Sequence, residues 1–109
     1  MAFQILAINP GSTSTKIAWY SDGTEVWRET VRHDPDALAA FPSVADQFSF
    51  RLGTIEEALA SHEASFDELS AVAGRGGLVE PIPGGTYAVD DALLKRLRIG
   101  KPWEHASNL

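Results

Sequence analysis

The segment Ile8-Asn9-Pro10-Gly11-Ser12-Thr13-Ser14-Thr15-Lys16 constrains this chain more than any other. Phe3 to Ile8, leading into it, is an apolar run of strand length interrupted only by Gln4. Proline cannot donate to a ladder and glycine permits a sharp turn, so Asn9-Pro10-Gly11 stops that strand. Lys16 to Tyr20 then reads as a second strand, Ser21-Asp22-Gly23 as a hairpin turn, and Thr24 to Val31 as the returning strand. The chain thus opens strand, turn, strand, turn, strand, antiparallel from the second strand onward.

Beyond this opening, Arg32 to Pro42 reads as a connector with two prolines. Ser43 followed by Asp46 resembles a capping box, with Asp in the glutamate position. Phe48, Leu52, Ile55 and Leu59 then recur as one face of a helix, weakened in its middle by Gly53. Leu69 to Ala73 is a short apolar stretch before Gly74-Arg75-Gly76-Gly77. It reads as a buried strand parallel to the first, because a helix intervenes. Pro81 to Gly85 is loop, and Thr86 to Val89 a short strand. Asp90 caps a helix carrying Leu93, Leu94 and Leu97, with Lys95, Arg96 and Arg98 toward its negative end and Gly100 and Pro102 closing it. Alternating strands and helices give an α/β chain with a mixed sheet.

Acidic residues outnumber basic ones by 15 to 9, for a formal net charge of −6. That balance argues against a nucleic-acid partner, since the one basic cluster is explained by helix termination. With no cysteine, disulfides, thiolate nucleophiles and sulfur-built zinc sites are excluded. The N-terminus lacks a signal-peptide pattern, and no apolar run approaches the ~20 residues that span a bilayer. The expectation is a cytoplasmic protein with no membrane partner.

The opening turn also carries the strongest chemical signal. A polyphosphate needs converging donors: backbone N–H groups at a glycine turn, hydroxyls and a cation. All three occur here within a few residues. Alternation puts Ser12, Ser14 and Lys16 on one face, and Thr13, Thr15 and Ile17 on the other. This is not a Walker loop, which needs a second glycine before the lysine and a helix after it. An Asn-Pro-Gly turn leading into a threonine-rich strand with a solvated face is the plainer reading of the same residues, and it stays open at this point.

Ile5 to Ile17 closely resembles the opening signature of butyrate kinases, within the acetate kinase family and the actin-like ATPase superfamily. Gly74-Arg75-Gly76-Gly77-Leu78, with Pro81 to Tyr87, is similar to that family's central glycine-rich segment. Glu104-His105-Ala106-Ser107-Asn108-Leu109 resembles a third family segment. The resemblance implies residues 1–109 as part of an N-terminal actin-like (ribonuclease H-like) lobe, opening with a β-hairpin, flanked by helices and incomplete. It further implies reversible phosphoryl transfer from ATP to butyrate with Mg2+, in an enzyme that forms a homodimer or higher homo-oligomer when complete. The 109 residues alone are expected to be inactive.

Under that resemblance, phosphate binding falls on Asn9, Gly11, Ser12, Ser14 and Lys16, and Asn9 orients Mg2+ through water. Arg75 engages the carboxylate or the transferring phosphoryl group, a task that suits a guanidinium that binds bidentately and stays charged. Gly76, Gly77 and Asn108 join it in substrate binding, and His105 is the second catalytic candidate. In acetate kinases the corresponding histidine and asparagine are adjacent, whereas Ala106 and Ser107 separate them here. His33 and His62 carry no motif and read as ordinary histidines, while Trp19, Trp27 and Trp103 read as packing residues. The competing readings are a kinase for acetate or another short or branched carboxylate, and a nucleotide- or anion-binding module without catalysis.

Overall fold

The computed structural model describes residues 2–75, 82–99 and 105–109. Three strands follow from the opening pattern: β1 (Gln4–Pro10), β2 (Ser14–Ser21) and β3 (Thr24–Arg32). All of them run antiparallel to their neighbour, including β1 with β2. The β2–β3 turn falls on Asp22 and Gly23, both in the left-handed region with φ of 48° and 82°. That conformation suits a tight hairpin and is easily reached by glycine. Asp22 also fastens the N-terminal segment: its Oδ1 accepts from the Phe3 N–H at 2.7 Å.

The expected connector holds a short helix, α1 (Pro35–Ala39). Asp34 caps it by accepting from the Asp36 N–H at 2.9 Å, and Pro35 occupies the first turn, where a missing donor costs nothing. A 3-10 turn at Ala45–Gln47 leads into α2 (Phe48–Ser61). The expected capping box is not formed as such. The Ser43 hydroxyl donates to the Asp46 carboxylate at 2.8 Å, and Gln47, the N-cap of α2, makes no side-chain capping bond.

The buried face of α2 is Arg51, Ile55, Ala58 and Leu59. Phe48 and Leu52, placed on that face by spacing alone, are exposed. The shift has a simple cause: Arg51 takes the position nearest the sheet because it has hydrogen-bond acceptors there. Leu6, Ile17 and Trp19 from the sheet meet Ile55, Ala58 and Leu59 from the helix to form the core. Fully burying one such aliphatic side chain contributes about 1.5–3 kcal/mol. The Trp19 indole N–H donates to Gln4 Oε1 at 2.7 Å, which accounts for the one polar residue inside the first apolar run.

At the far end of α2, His62 stacks on Trp27 with ring centres 4.0 Å apart and contacts Glu29. β4 (Ala71–Gly74) then pairs parallel with β1, as the intervening helix requires, in the order β3-β2-β1-β4. Contrary to expectation β4 is exposed throughout, because it lies beside β1 at the end of this sheet. Thr86 to Val89 is not a strand. α3 (Asp91–Ile99) starts where Asp90 predicts, with Asp90 Oδ1 accepting from the Leu93 N–H at 2.8 Å. A 3-10 turn at Ala106–Asn108 follows. The result is a mixed α/β structure whose four-stranded sheet carries α2 on one face.

Candidate functional site

Sheet register places the chemical residues. On the face opposite α2, Asn9 of β1 pairs with Lys16 of β2, and Lys16 pairs with Thr30 of β3. Ala7 pairs with Ala73 of β4 on that same face, and Arg75 lies two residues beyond Ala73. The Arg75 N–H donates to the Ile8 carbonyl at 3.0 Å, which holds it beside Asn9. Lys16, Asn9 and Arg75 thus form a row at the carboxyl ends of β1 and β4, where parallel α/β sheets place their ligands.

Above this row the β1–β2 turn closes through the Gly11 N–H, which donates to the Ser14 carbonyl at 2.8 Å. Gly11 therefore does not offer its own N–H to a ligand. Its missing side chain instead leaves room for Ser14, since a Cβ there would meet Ser14 Oγ at 3.1 Å. Ser12 and Thr13 form the exposed tip, and among the described residues neither N–H has an acceptor. The Thr13 carbonyl accepts from the His33 N–H at 2.8 Å, which ties the tip to the end of β3.

His105 approaches from the C-terminal segment. Its Nδ1 accepts from the Ser107 N–H at 3.0 Å. A backbone N–H can only donate, so the neutral ring carries its proton on Nε2. Asn9, Gly11, Ser12, Ser14, Lys16, Arg75, His105 and Ser107 line one cleft of about 530 Å³. No Asp or Glu is among the described residues that line it, although the chain as a whole is acidic. A second hollow of about 560 Å³ lies over the alanine floor of the bare sheet face and shares Asn9, Lys16 and Arg75 with the first.

No protein-family model matches this chain. It is 50% identical over all of its 109 residues to a probable butyrate kinase of Coprothermobacter proteolyticus. The likeness to butyrate kinases runs the length of the chain. The chain spans 31% of that relative's own length.

Of the residues that the butyrate-kinase resemblance singled out, seven converge on the cleft. Asn108 does not join them. It is buried, its side-chain amide donates to the Leu97 carbonyl at 3.0 Å, and it lines a separate hollow beside α3. Gly76, Gly77, Trp103 and Glu104 lie outside the described residues.

Arg51 was not foreseen. It is only 4% exposed and reaches the back of the turn from α2. Its Nη1 donates to the Ser14 carbonyl at 2.9 Å and to Thr15 Oγ1 at 3.2 Å, its Nη2 to the Ser12 carbonyl at 3.4 Å, and its Nε to Gln47 Oε1 at 3.0 Å. Burial lowers its pKa from the ordinary arginine value. His33, also buried, shares Thr15 Oγ1 through Nε2 at 2.8 Å. Burial, and secondarily the Arg51 charge, lowers the His33 pKa below its usual value. A signal did exist: Arg51 sits four residues before Ile55 and eight before Leu59, on the apolar stripe itself, with Gln47 four residues earlier.

Proposed function

We propose that this chain forms the phosphate-facing part of a carboxylate kinase site, and that the reaction is transfer of the terminal phosphoryl group of ATP to butyrate. The observation that carries the reading is the cleft: hydroxyls, an amide, Lys16, Arg75 and His105 converge, and no described acidic residue lines it. Such a lining attracts a polyanion, and phosphoryl transfer asks for alignment and charge neutralisation rather than covalent help from the protein. A probable butyrate kinase as a relative supports carboxylate as the acceptor class. The sheet order, with β1, β2 and β3 antiparallel and β4 parallel to β1, is compatible with an actin-like lobe.

In this reading Ser12, Ser14, Lys16 and the tip N–H groups receive the phosphates. Mg2+ arrives with ATP as part of the substrate. No cluster of three or more His, Cys, Asp or Glu suited to a metal exists among the described residues. When bound, the ion would keep several waters in addition to phosphate oxygens, and Asn9, which lines the cleft, is the residue that would contact it through water. Arg75 holds the butyrate carboxylate through two parallel hydrogen bonds. A carboxylate oxygen attacks the terminal phosphorus in line, the bond to the bridging oxygen breaks, and its electron pair leaves on ADP. Because the carboxylate is already ionised at neutral pH, no general base is needed. The Nε2–H of His105 donates to the transferring group, which carries the developing charge. Assembly as a homo-oligomer remains part of the proposal.

The test is an acyl phosphate assay on the protein encoded by the reading frame that contains this chain. It would be supplied with ATP, Mg2+ and a panel of carboxylates, and product would be trapped with hydroxylamine. Product that depends on butyrate, and falls for acetate and branched acids, supports the reading. A folded protein that makes none from any short carboxylate leaves anion binding without catalysis as the function.

A further inference from the structure

Arg51 presents an energetic problem. Burying an ion costs several kcal/mol unless a partner compensates it. Here the partners are two carbonyls, a hydroxyl and an amide, and no carboxylate lies within salt-bridge distance among the described residues. The residues it grips, Ser12, Ser14 and Thr15, are those that shape the tip of the β1–β2 turn. Ser12 and Ser14 line the cleft on the other side.

We infer that Arg51 is a positioning residue for the anion site: from the core side its guanidinium fork holds the Ser12 and Ser14 carbonyls back from the cleft, so that the turn meets phosphate already arranged. This rests on the proposed phosphate-binding role of the cleft. Two physical effects combine. Carbonyl oxygens turned toward a polyanion would repel it, and Arg51 holds two of them away. The uncompensated positive charge also lies one backbone thickness behind the tip, in surroundings of low dielectric where charges act strongly. The phosphate then supplies the negative charge that the described residues around Arg51 lack. His33, bonded to the same Thr15 hydroxyl, completes the brace by linking the β3 end to the turn. The fork matters as much as the charge, because one planar group reaches Gln47, Thr15 and both carbonyls, which a lysine ammonium cannot match.

The experiment compares wild type with R51M and R51K by two readouts. The first is hydrogen exchange of the Gly11 amide without ligand, since that N–H closes the turn on Ser14. The second is affinity for inorganic tripolyphosphate by calorimetry. R51M removes the buried charge but leaves the acceptors that Arg51 satisfied without their donor, so it should melt below the wild type. Its Gly11 exchange should also quicken and its affinity fall about tenfold or more. R51K should lie between them in both. A merely structural role predicts lower melting with unchanged affinity. Wild-type exchange at Gly11 in R51M overturns the inference. Should R51M not fold, R51K decides: wild-type exchange and affinity in that variant overturn it. Should the wild type itself bind no tripolyphosphate, the kinase reading falls, and Gly11 exchange still decides whether Arg51 sets the turn.

Discussion

Arg75 and Gly11 show how much the proposed chemistry asks of single residues. If Arg75 holds the reacting anion as proposed, Arg75→Ala removes that donor and should lower turnover about 10²–10³-fold. Arg75→Lys should restore only part, because an ammonium lacks the paired donors. Near-wild-type acyl phosphate formation by the alanine variant would refute the role. At Gly11 the added methyl of alanine would press on Ser14 Oγ, 3.1 Å away. The expected result is a higher KM for ATP with a smaller change in kcat. His33 gives a pH prediction. Its folded pKa is lowered by burial and by Arg51. Folding therefore favours the neutral ring, and the unfolded chain binds more protons below the ordinary value of about 6.5. Stability is full above that pH and falls as pH drops toward the folded pKa. Urea midpoints measured down from neutral pH should decline, and H33Q should flatten the decline. These roles were unequally legible. Asn9 to Lys16 could be read because the turn and its donors are contiguous, and Arg75 because it follows a strand among glycines. Arg51 and His33 were harder to read: Gln47 and the apolar stripe lie close to Arg51 in the sequence, but the partners that tie both residues to the turn lie 18 to 39 positions away.

At the scale of elements, local turn chemistry decided what could be foreseen. Asn-Pro-Gly and Asp-Gly place two turns, and the three opening strands follow from them. The five residues of α1 are too few to show a helical period, so its Asp34 cap and Pro35 were the only signs of it. The exposure of β4 was illegible for another reason: an apolar run announces a strand, but burial depends on what lies beyond it. In α2 the period was right and the face half right: Ile55 and Leu59 are buried as their spacing indicates, while Phe48 and Leu52 are exposed because the buried Arg51, with acceptors at hand, shifts the inward stripe. Two measurements follow. A Cβ at Gly53 would meet nothing within 4 Å, and the helix runs unbroken through it. Gly53→Ala should therefore raise stability by up to ~1 kcal/mol in denaturant titration. Leu6 is fully buried against α2, so Leu6→Ala should cost about 2–5 kcal/mol. A loss below 1 kcal/mol would mean that the core is not where it is described.

Across the whole molecule, an acidic chain places two of its cations, Lys16 and Arg75, at one cleft that no described acidic residue lines. Its net charge of −6 repels polyanions at a distance, while Lys16 and Arg75 attract them close in. Affinity for phosphate should accordingly fall as salt rises, because an open cleft is screened. Among the described residues no helix is long and apolar enough to cross a membrane. The β1–β2 turn, Arg75 and His105 are proposed to form one phosphate site, and a backbone NMR titration of this chain with ATP and Mg2+ reports on all of them at once. Saturable shifts are expected at Asn9 to Lys16, Arg75 and His105, with Asn108 unaffected. Shifts confined to the bare sheet face around Ala18 and Tyr20, or none at all from a folded chain, would refute a single site there.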